Sequence, residues 1–188
     1  MSKPKPDKPG EGGDSTVMDA AAIDRALRRI AHEIIEANPN LAAVVLAGIP
    51  SRGNEIAQRI AANIQSVSGV TVETGVIDVA MHRDDVGTRP ELPVVRASKL
   101  PHPLEGRTVV IIDDVLFTGR TVRAAMDAIS SFGRPSRIQL AVLIDRGHRE
   151  LPIRPDYVGK NLPTAPNERV RVRLGGDNQP AGVTLLRE

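Results

Sequence analysis

The chain has 188 residues, of which 40% are hydrophobic and 26% are charged, which is typical of one globular domain. The lack of cysteine excludes disulfide bonds and thiolate metal sites. No apolar run approaches the roughly 20 residues that a transmembrane helix needs, and the N-terminus lacks the apolar segment of a signal peptide. We therefore expect a cytoplasmic protein that does not bind membranes.

The net charge is only +2, but basic residues are concentrated in one part of the chain. Between residues 107 and 173 there are 12 lysines and arginines against 7 acidic residues. Such an excess suits partners that carry phosphate, either small molecules or nucleic acid, and a well-solvated surface explains it equally well.

In chain order, a disordered tail at 1–17, rich in proline, glycine and lysine, is predicted to precede a single domain at 18–188. The first predicted helix follows Asp19, a suitable cap, and ends near Asn38. The later predicted elements are a strand at 42–48, a helix containing Ile56, Ile60 and Ile64, strands within 70–81, a flexible loop at about 82–103, a strand at 108–112, a helix from about Gly119, a strand at 137–144 and a hairpin at about 169–187.

Strands that alternate with helices in this way predict an α/β domain with a largely parallel sheet. In such sheets, ligands bind beyond the carboxyl ends of the strands. Two loops, at 48–53 and 113–121, directly follow predicted strands. We therefore expect the two loops to face one cleft.

The sequence VVIIDDVLFTGRT, at residues 109–121, places two acids directly before a loop suited to an anion. Threonines and Gly119 open a helix whose N-terminal N–H groups suit a phosphate monoester. Asp113 and Asp114 would repel that phosphate, but they can accept hydrogen bonds from vicinal hydroxyl groups or meet them through Mg²⁺. A ribose 5-phosphate satisfies both halves of the motif. A capped helix after a core strand is the alternative, and it explains one acid but not the pair.

The sequence GIPSRG, at residues 48–53, is the second candidate anion loop. A glycine-flanked turn lets the backbone approach an anion, and Arg52 can bind that anion with two N–H groups. Ser-Arg-Gly turns are also common without a ligand. This loop is therefore evidence for an anion site only in combination with the first motif.

The 109–121 motif resembles the 5-phosphoribosyl-1-pyrophosphate (PRPP) signature of the type I phosphoribosyltransferases. The resemblance implies their fold, a central, mostly parallel sheet flanked by helices, with a small hood and a flexible loop. It implies that Asp113, Asp114, Arg52 and Arg83 are catalytic, and that Mg²⁺ arrives with PRPP and binds through the two acids. The residues that it implies bind PRPP or UMP are Ser51, Arg52, Gly53, Asp113, Asp114, Val115, Leu116, Phe117, Thr118, Gly119, Arg120 and Thr121.

Two further blocks, RALRRIAHEIIEAN at 25–38 and SFGRPSRIQLAVLIDRGHRELPIRPDYVGKNLPT at 131–164, resemble the PyrR family of pyrimidine operon attenuation regulators. This resemblance implies binding of operon leader mRNA in response to UMP or UTP, and conversion of uracil and PRPP to UMP and pyrophosphate. The implied uracil hood is Val158, Gly159, Lys160 and Asn161. By position, His32, Arg146 and Lys160 match residues that the resemblance implicates in RNA binding. The other candidate RNA-binding residues are Arg149 and Arg154, which lie nearby in the sequence, and Arg25 and Arg28 on the basic side of the first helix, although Arg28 stands where the family usually has a small hydroxyl residue.

Two other functions stay open at this point. A plain phosphoribosyltransferase for uracil or another base would have no RNA role. The basic side of the first helix argues against this alternative, because it favours RNA binding. A nucleotide sensor with vestigial catalysis would not need an intact Arg52 and acid pair. The resemblance also implies a homodimer that can associate into a tetramer, and RNA binding of this kind should be salt-sensitive.

Overall fold

The computed structural model describes residues 14–50, 52–79, 98–176 and 180–187. Its helices are α1 (Ala20–Ala37), α2 (Arg52–Ser68) and α3 (Arg120–Ser130), with a short 3₁₀ turn at Leu41–Ala43. Its strands are β1 (Ser15–Asp19), β2 (Val44–Gly48), β3 (Glu73–Val76), β4 (Thr108–Leu116), β5 (Arg137–Asp145), β6 (Tyr157–Asn161), β7 (Glu168–Arg173) and β8 (Gly182–Arg187). Five strands form a parallel sheet in the order β3-β2-β4-β5-β6, and three form an antiparallel sheet in the order β1-β8-β7. The predicted central parallel sheet is confirmed.

The central strands bury side chains on both faces of the sheet, because helices cover it from two sides. In β4, Val110 and Ile112 pack with apolar residues of α1 and α2, whereas Val109 and Ile111 pack with residues of α3. All four side chains are fully buried. The continuous apolar run before the two acids therefore reflects alternating side chains in a strand that is covered on both faces.

Helix α1 begins where the sequence predicts. The Asp19 carboxylate accepts a 2.7 Å hydrogen bond from the Ala22 N–H group, which satisfies one of the unpaired donors at the helix start. The helix ends at Ala37, and the Asn38 side chain donates to the Ile34 carbonyl at 2.9 Å. Neither α1 nor any other helix in the described ranges is long and apolar enough to cross a membrane.

The predicted tail at 1–17 extends too far into the chain. Ser15–Asp19 form β1, which pairs with β8 through partners such as Thr16 and Thr184. Strand β8 also pairs with β7, so the predicted C-terminal hairpin is present and gains a third strand. Composition could not show this pairing, because the partner strand lies at the other end of the chain. Residues 1–13 lie outside the described residues.

Three other predicted boundaries also differ. Strand β4 continues to Leu116 rather than ending at residue 112, and so contains both acids of the motif. Only β3 is a strand within the described part of the 70–81 region. The predicted flexible loop at 82–103 has its C-terminal boundary too late in the sequence. Lys99 already forms an antiparallel bridge with Val76, and Leu100 is buried. Residues 80–97 lie outside the described residues.

A buried polar cluster joins the end of α1 to the amino end of the central sheet. The Asn38 side-chain amide donates to Gln139 Oε1 at 3.0 Å and to the Tyr157 hydroxyl oxygen at 3.2 Å. All three residues are at most 7% exposed. Burial raises the pKa of Tyr157, and the hydrogen bond from Asn38 opposes that increase in part.

We expect Tyr157 to ionise only above the ordinary tyrosine pKa of about 10. Near-ultraviolet absorbance of the phenolate measures this directly, since the chain has one tyrosine and no tryptophan. As pH rises, the unfolded chain loses this proton first, so the free energy of unfolding falls once pH exceeds the unfolded pKa. Tyr157→Phe should remove this part of the alkaline destabilisation. Ionisation at the ordinary pKa in the folded protein would contradict the cluster.

Candidate functional site

The carboxyl ends of β2 and β4 place the two predicted anion loops side by side, as expected for one cleft. The Ile49 N–H group donates to the Ile112 carbonyl at 2.9 Å, which attaches the 48–53 loop to β4. A Cβ on Gly53 would lie 2.4 Å from the same carbonyl oxygen, so only glycine permits this approach. The loop and the strand that carries the acids are therefore held in direct contact.

The two acids lie at the end of β4, beside the 48–53 loop. Asp113 is 8% exposed, whereas the Asp114 side chain is 20% exposed. Asp114 Oδ1 accepts a 2.9 Å hydrogen bond from the next N–H group, and its Oδ2 lies 3.5 Å from Arg52 Nη1. The structure thus brings together three of the predicted catalytic residues. Arg83, the fourth, and Ser51 lie outside the described residues.

The acid pair suits a cation that brings most of its ligands with it. Within the described ranges, no group of three or more acidic, histidine or cysteine side chains could hold a metal ion. Asp113 and Asp114 offer carboxylate oxygens, and Mg²⁺ usually binds through one or two carboxylates together with substrate phosphates and water. These residues therefore fit a Mg²⁺ ion that arrives with its substrate.

The candidate phosphate loop, residues 115–121, surrounds a cavity of about 140 Å³ next to Asp113. Gly119 caps α3 with a φ of +93°, where a side chain would be strained, so the turn requires glycine. The Arg120 side chain pairs with Glu150, with 2.6 Å between Nε and Oε2. Because this guanidinium is engaged, a phosphate in the cavity would depend mainly on N–H groups at the start of α3.

A segment whose role the sequence analysis missed holds the candidate phosphate loop by its backbone. Three consecutive carbonyl groups of the loop accept hydrogen bonds from residues 146–151, which follow β5. The bonds run from the Arg146 N–H to Leu116 at 3.1 Å, from Arg149 Nη1 to Phe117 at 2.9 Å, and from the N–H groups of Glu150 and Leu151 to Thr118 at 3.0 and 3.1 Å. The available signal was that a polar block, DRGHRE, follows the strand next to β4.

Two arginines predicted to contact RNA are engaged within the protein. Arg146 is 7% exposed, and its guanidinium donates to Thr164 Oγ1 at 3.1 Å and to the carbonyls of Ala165 and Glu168 at 3.3 and 2.7 Å. Burial lowers the pKa of Arg146, and the charge of Glu168 opposes that decrease. Arg149 pairs at 2.5 Å with the carboxylate that ends β5. Arg146 is therefore buried under a turn that is distant in sequence, and its contact with RNA stays a prediction.

The remaining predicted RNA-binding residues are exposed. Arg25, Arg28 and His32 lie along one side of α1, at the spacing of successive helical turns. Arg25 and Lys160 both line a groove of about 360 Å³ between α1, β1 and β6. Arg154 is exposed on the segment between β5 and β6. The structure thus brings Arg25 and Lys160 together, with two more basic side chains continuing along the helix.

The predicted uracil hood, residues 158–161, lies in β6, the edge strand of the central sheet, rather than in a separate cap. This strand was not predicted from the sequence, because it has only five residues and is partly polar. Arg29 of α1 covers part of its outer edge by donating to the carbonyls of Val158 and Gly159, at 3.1 and 2.6 Å. Contact between these residues and uracil stays a prediction.

The register of the sheet places the predicted uracil segment near the acids. Asp113 is opposite Val142 of β5, and Val142 is opposite Val158 of β6. Residues 158–161 therefore extend from the level of Asp113 towards the carboxyl edge. A cavity of about 420 Å³ at this edge is lined by Asn161 and by neighbouring residues after β5 and β6.

Known proteins resemble this chain both in sequence and in fold. A family described as "Phosphoribosyl transferase domain" matches residues 15–174. The chain is 56% identical over 176 residues to the "Bifunctional protein PyrR" of Roseiflexus sp. (strain RS-1), covering 93% of this chain and 96% of the relative. It is 55% identical over 160 residues to the protein of that name from Brevibacillus brevis, covering 85% and 89%. The crystal structure of a Trypanosoma cruzi hypoxanthine phosphoribosyltransferase matches with a TM-score of 0.70 and 20% identity, covering 92% of this chain and 96% of that chain, which shows a shared fold.

Proposed function

Because the chain belongs to the phosphoribosyl transferase domain family, and within it to the bifunctional PyrR proteins, we propose that it converts uracil and PRPP to UMP and pyrophosphate. The observation that carries this proposal is the acid pair at the end of β4, which lies between the 48–53 loop and the candidate phosphate loop. A ribose 5-phosphate that carries a diphosphate matches this order, with hydroxyl groups at the acids and one anion in each loop.

The reaction breaks the bond from ribose C1 to pyrophosphate and forms a bond from C1 to uracil N1. Positive character develops at the sugar ring in such transfers. In the proposal, Asp113 and Asp114 accept hydrogen bonds from the ribose hydroxyls, and their charge favours the cationic transition state. Arg52 and Arg83 stabilise the leaving pyrophosphate. When bound with PRPP, Mg²⁺ supplies further neutralisation of the diphosphate charge.

The position of β6 supports uracil as the acceptor of the phosphoribosyl group. Residues 158–161 lie two strands away from the acid pair, which is about 10 Å across the sheet. A ribose held at the acids therefore has room to present C1 to a base at the end of β6. The cavity lined by Asn161 lies at this edge and has space for a pyrimidine ring.

The test is an assay with radiolabelled uracil, PRPP and Mg²⁺, with hypoxanthine as the competing base. We expect labelled UMP, and no nucleotide from hypoxanthine. If hypoxanthine is used and uracil is not, the chain is a phosphoribosyltransferase for another base. If neither base reacts, the proposed activity is wrong.

The exposed basic side of α1 favours a second activity, which is binding of pyrimidine operon leader mRNA when UMP or UTP occupies the site. Arg25 and Lys160 offer positive charge at one groove, and Arg28 and His32 continue the exposed polar side along α1. Through Arg29, α1 is bonded to β6, the strand that carries the predicted uracil residues. A nucleotide that binds one arrangement of β6 more tightly would therefore also favour one arrangement of α1.

Arg25→Gln should weaken binding to a leader RNA in a gel shift and lower the salt dependence by about one phosphate contact. The matched control is Arg134→Gln. Arg134 is exposed and lies just before β5, at the amino end of the central sheet. UMP should strengthen binding by the unmodified protein. A plain phosphoribosyltransferase without an RNA role would show the same weak binding for all three proteins, with or without UMP.

The proposal also includes a cytoplasmic location and a homodimer that can associate into a tetramer. Both are supported by membership of the PyrR family. Sedimentation velocity of the full chain, with and without UMP, distinguishes monomer, dimer and tetramer by mass.

A further inference from the structure

Arg146 lies between the candidate phosphate loop and the turn that precedes β7. Its guanidinium carbon is 4.2 Å from the centroid of the Phe117 ring. Its N–H groups donate to the Thr164 hydroxyl and to the carbonyls of Ala165 and Glu168. One buried side chain thus contacts the loop through a ring face and the turn through hydrogen bonds.

The contacts of Arg146 leave it little freedom to move. A guanidinium is a rigid plane, so hydrogen bonds that fix its edge also fix its face. Thr164 strengthens this arrangement, because its hydroxyl also donates to the Arg146 carbonyl at 3.3 Å. Removal of the turn contacts would leave a buried charge without acceptors, which is costly. The turn is therefore an anchor for the guanidinium plane.

The anchored guanidinium plane of Arg146 restricts movement of the Phe117 ring from one side. His148 contacts the same ring edge-on, with centroids 6.0 Å apart, and Arg149 holds the Phe117 carbonyl. Phe117 is still 39% exposed, so a large part of it has no packing partner within the described residues. Shortly after Phe117, the chain forms the Gly119 turn, which opens α3 and borders the cavity of the candidate phosphate loop.

We propose that Arg146 is a positioning residue that fixes the candidate phosphate loop by stacking on Phe117, with the turn at 164–168 as its anchor. The proposal rests on the proposed function only in that the loop binds the 5-phosphate of its ligand. Arg146 acts through the ring, and not on the phosphate itself. A loop that is fixed before binding loses less conformational freedom when the phosphate arrives, and so binds it more tightly.

The test measures ribose 5-phosphate and pyrophosphate binding by calorimetry in the full chain and in Arg146→Met. Methionine keeps an unbranched apolar stem but has neither the charge nor the plane. We expect ribose 5-phosphate to bind about tenfold more weakly, in line with the loss of a desolvated cation–π contact. Pyrophosphate, which we place at Arg52, should bind as before. Arg146→Lys should not restore the affinity, because an ammonium has no planar face.

The matched control is Arg137→Met, at the opposite end of β5, where the side chain is exposed. It should bind both ligands like the unmodified protein. Two results overturn the proposal: ribose 5-phosphate affinity within twofold of normal in Arg146→Met, or equal weakening of both ligands, which indicates a general loss of structure. Absence of ribose 5-phosphate binding in the unmodified protein overturns it together with the loop assignment.

A double-mutant cycle with Phe117→Leu tests whether Arg146 acts through the ring. If it does, Arg146→Met should have little further effect on ribose 5-phosphate binding once the ring is absent. Additive effects would show that Arg146 acts by another route and overturn the proposal. If ribose 5-phosphate binds normally but uracil is not converted, the proposed enzyme function fails while the role of Arg146 is still measured.

Discussion

Asp114→Asn is expected to slow UMP formation from uracil and PRPP about 100- to 1,000-fold, the loss typical when a preorganised group that stabilises transition-state charge is removed. Asparagine keeps the size of the side chain and an oxygen that can accept the bond from the next N–H group. It loses the negative charge that opposes the developing charge on the ribose. Because asparagine has the same shape and the contact that it weakens is a long one, 3.5 Å to Arg52, the melting temperature should stay close to that of the unmodified protein.

A control in the same part of the chain is Asp127→Asn. Asp127 lies on the exposed side of α3 and pairs with Arg123 at 3.3 Å, a surface contact that contributes little. Its loss should leave turnover unchanged. Binding of ribose 5-phosphate to Asp114→Asn should fall far less than turnover, since the charge acts mainly in the transition state. Normal turnover in a folded Asp114→Asn protein would refute the assigned role.

Gly53→Ala is expected to lower the free energy of unfolding by about 3 kcal/mol, at the upper end for an added methyl group in a tightly packed site. The new Cβ would lie 2.4 Å from the Ile112 carbonyl oxygen and 3.4 Å from the Asp113 Cα atom. Backbone cannot rotate away as a side chain does, so α2 and β4 must separate. For a chain of this length, the melting temperature should fall by about 6–12 °C.

The separation in Gly53→Ala should also weaken pyrophosphate binding, because Arg52 moves with α2 away from the acids. Gly69→Ala is the control, since nothing lies within 4 Å of a Cβ there and only its φ of +74° is unfavourable. That strain costs about 1 kcal/mol. Equal losses of stability in the two variants would mean that close contact between α2 and β4 is not what requires Gly53.

Local sequence was sufficient for the elements that carry the acids. The apolar run, the acid pair and Gly119 lie within 13 consecutive residues, so strand, loop and helix follow from neighbouring residues alone. The Asp19 cap was equally predictable, because its bond to Ala22 spans a single turn. The Asp19 cap and the helix start after Gly119 are confirmed, because the interactions that decide them are short in sequence, whereas β4 ends four residues later than predicted.

Features that depend on partners distant in sequence could not be predicted from neighbouring residues. Arg146 follows a strand in a polar block, and its sequence neighbours favour an exposed side chain. Its acceptors are 18 to 22 residues away, on a turn that only the folded chain brings over it. The first three residues of β1 were assigned to the tail for the same reason, as the partner strand is at the far end of the chain.

By itself, the sequence determined that this protein has a parallel α/β sheet with an acid pair before an anion loop at a strand end. Such features depend on side-chain period, caps and glycine, which act over a few residues. Only the tertiary structure decided that 146–151 hold the loop, that β6 forms the sheet edge beside α1, and that Arg146 lies inside the protein. The physical reason is that burial and strand pairing depend on contacts between segments that are far apart in the chain.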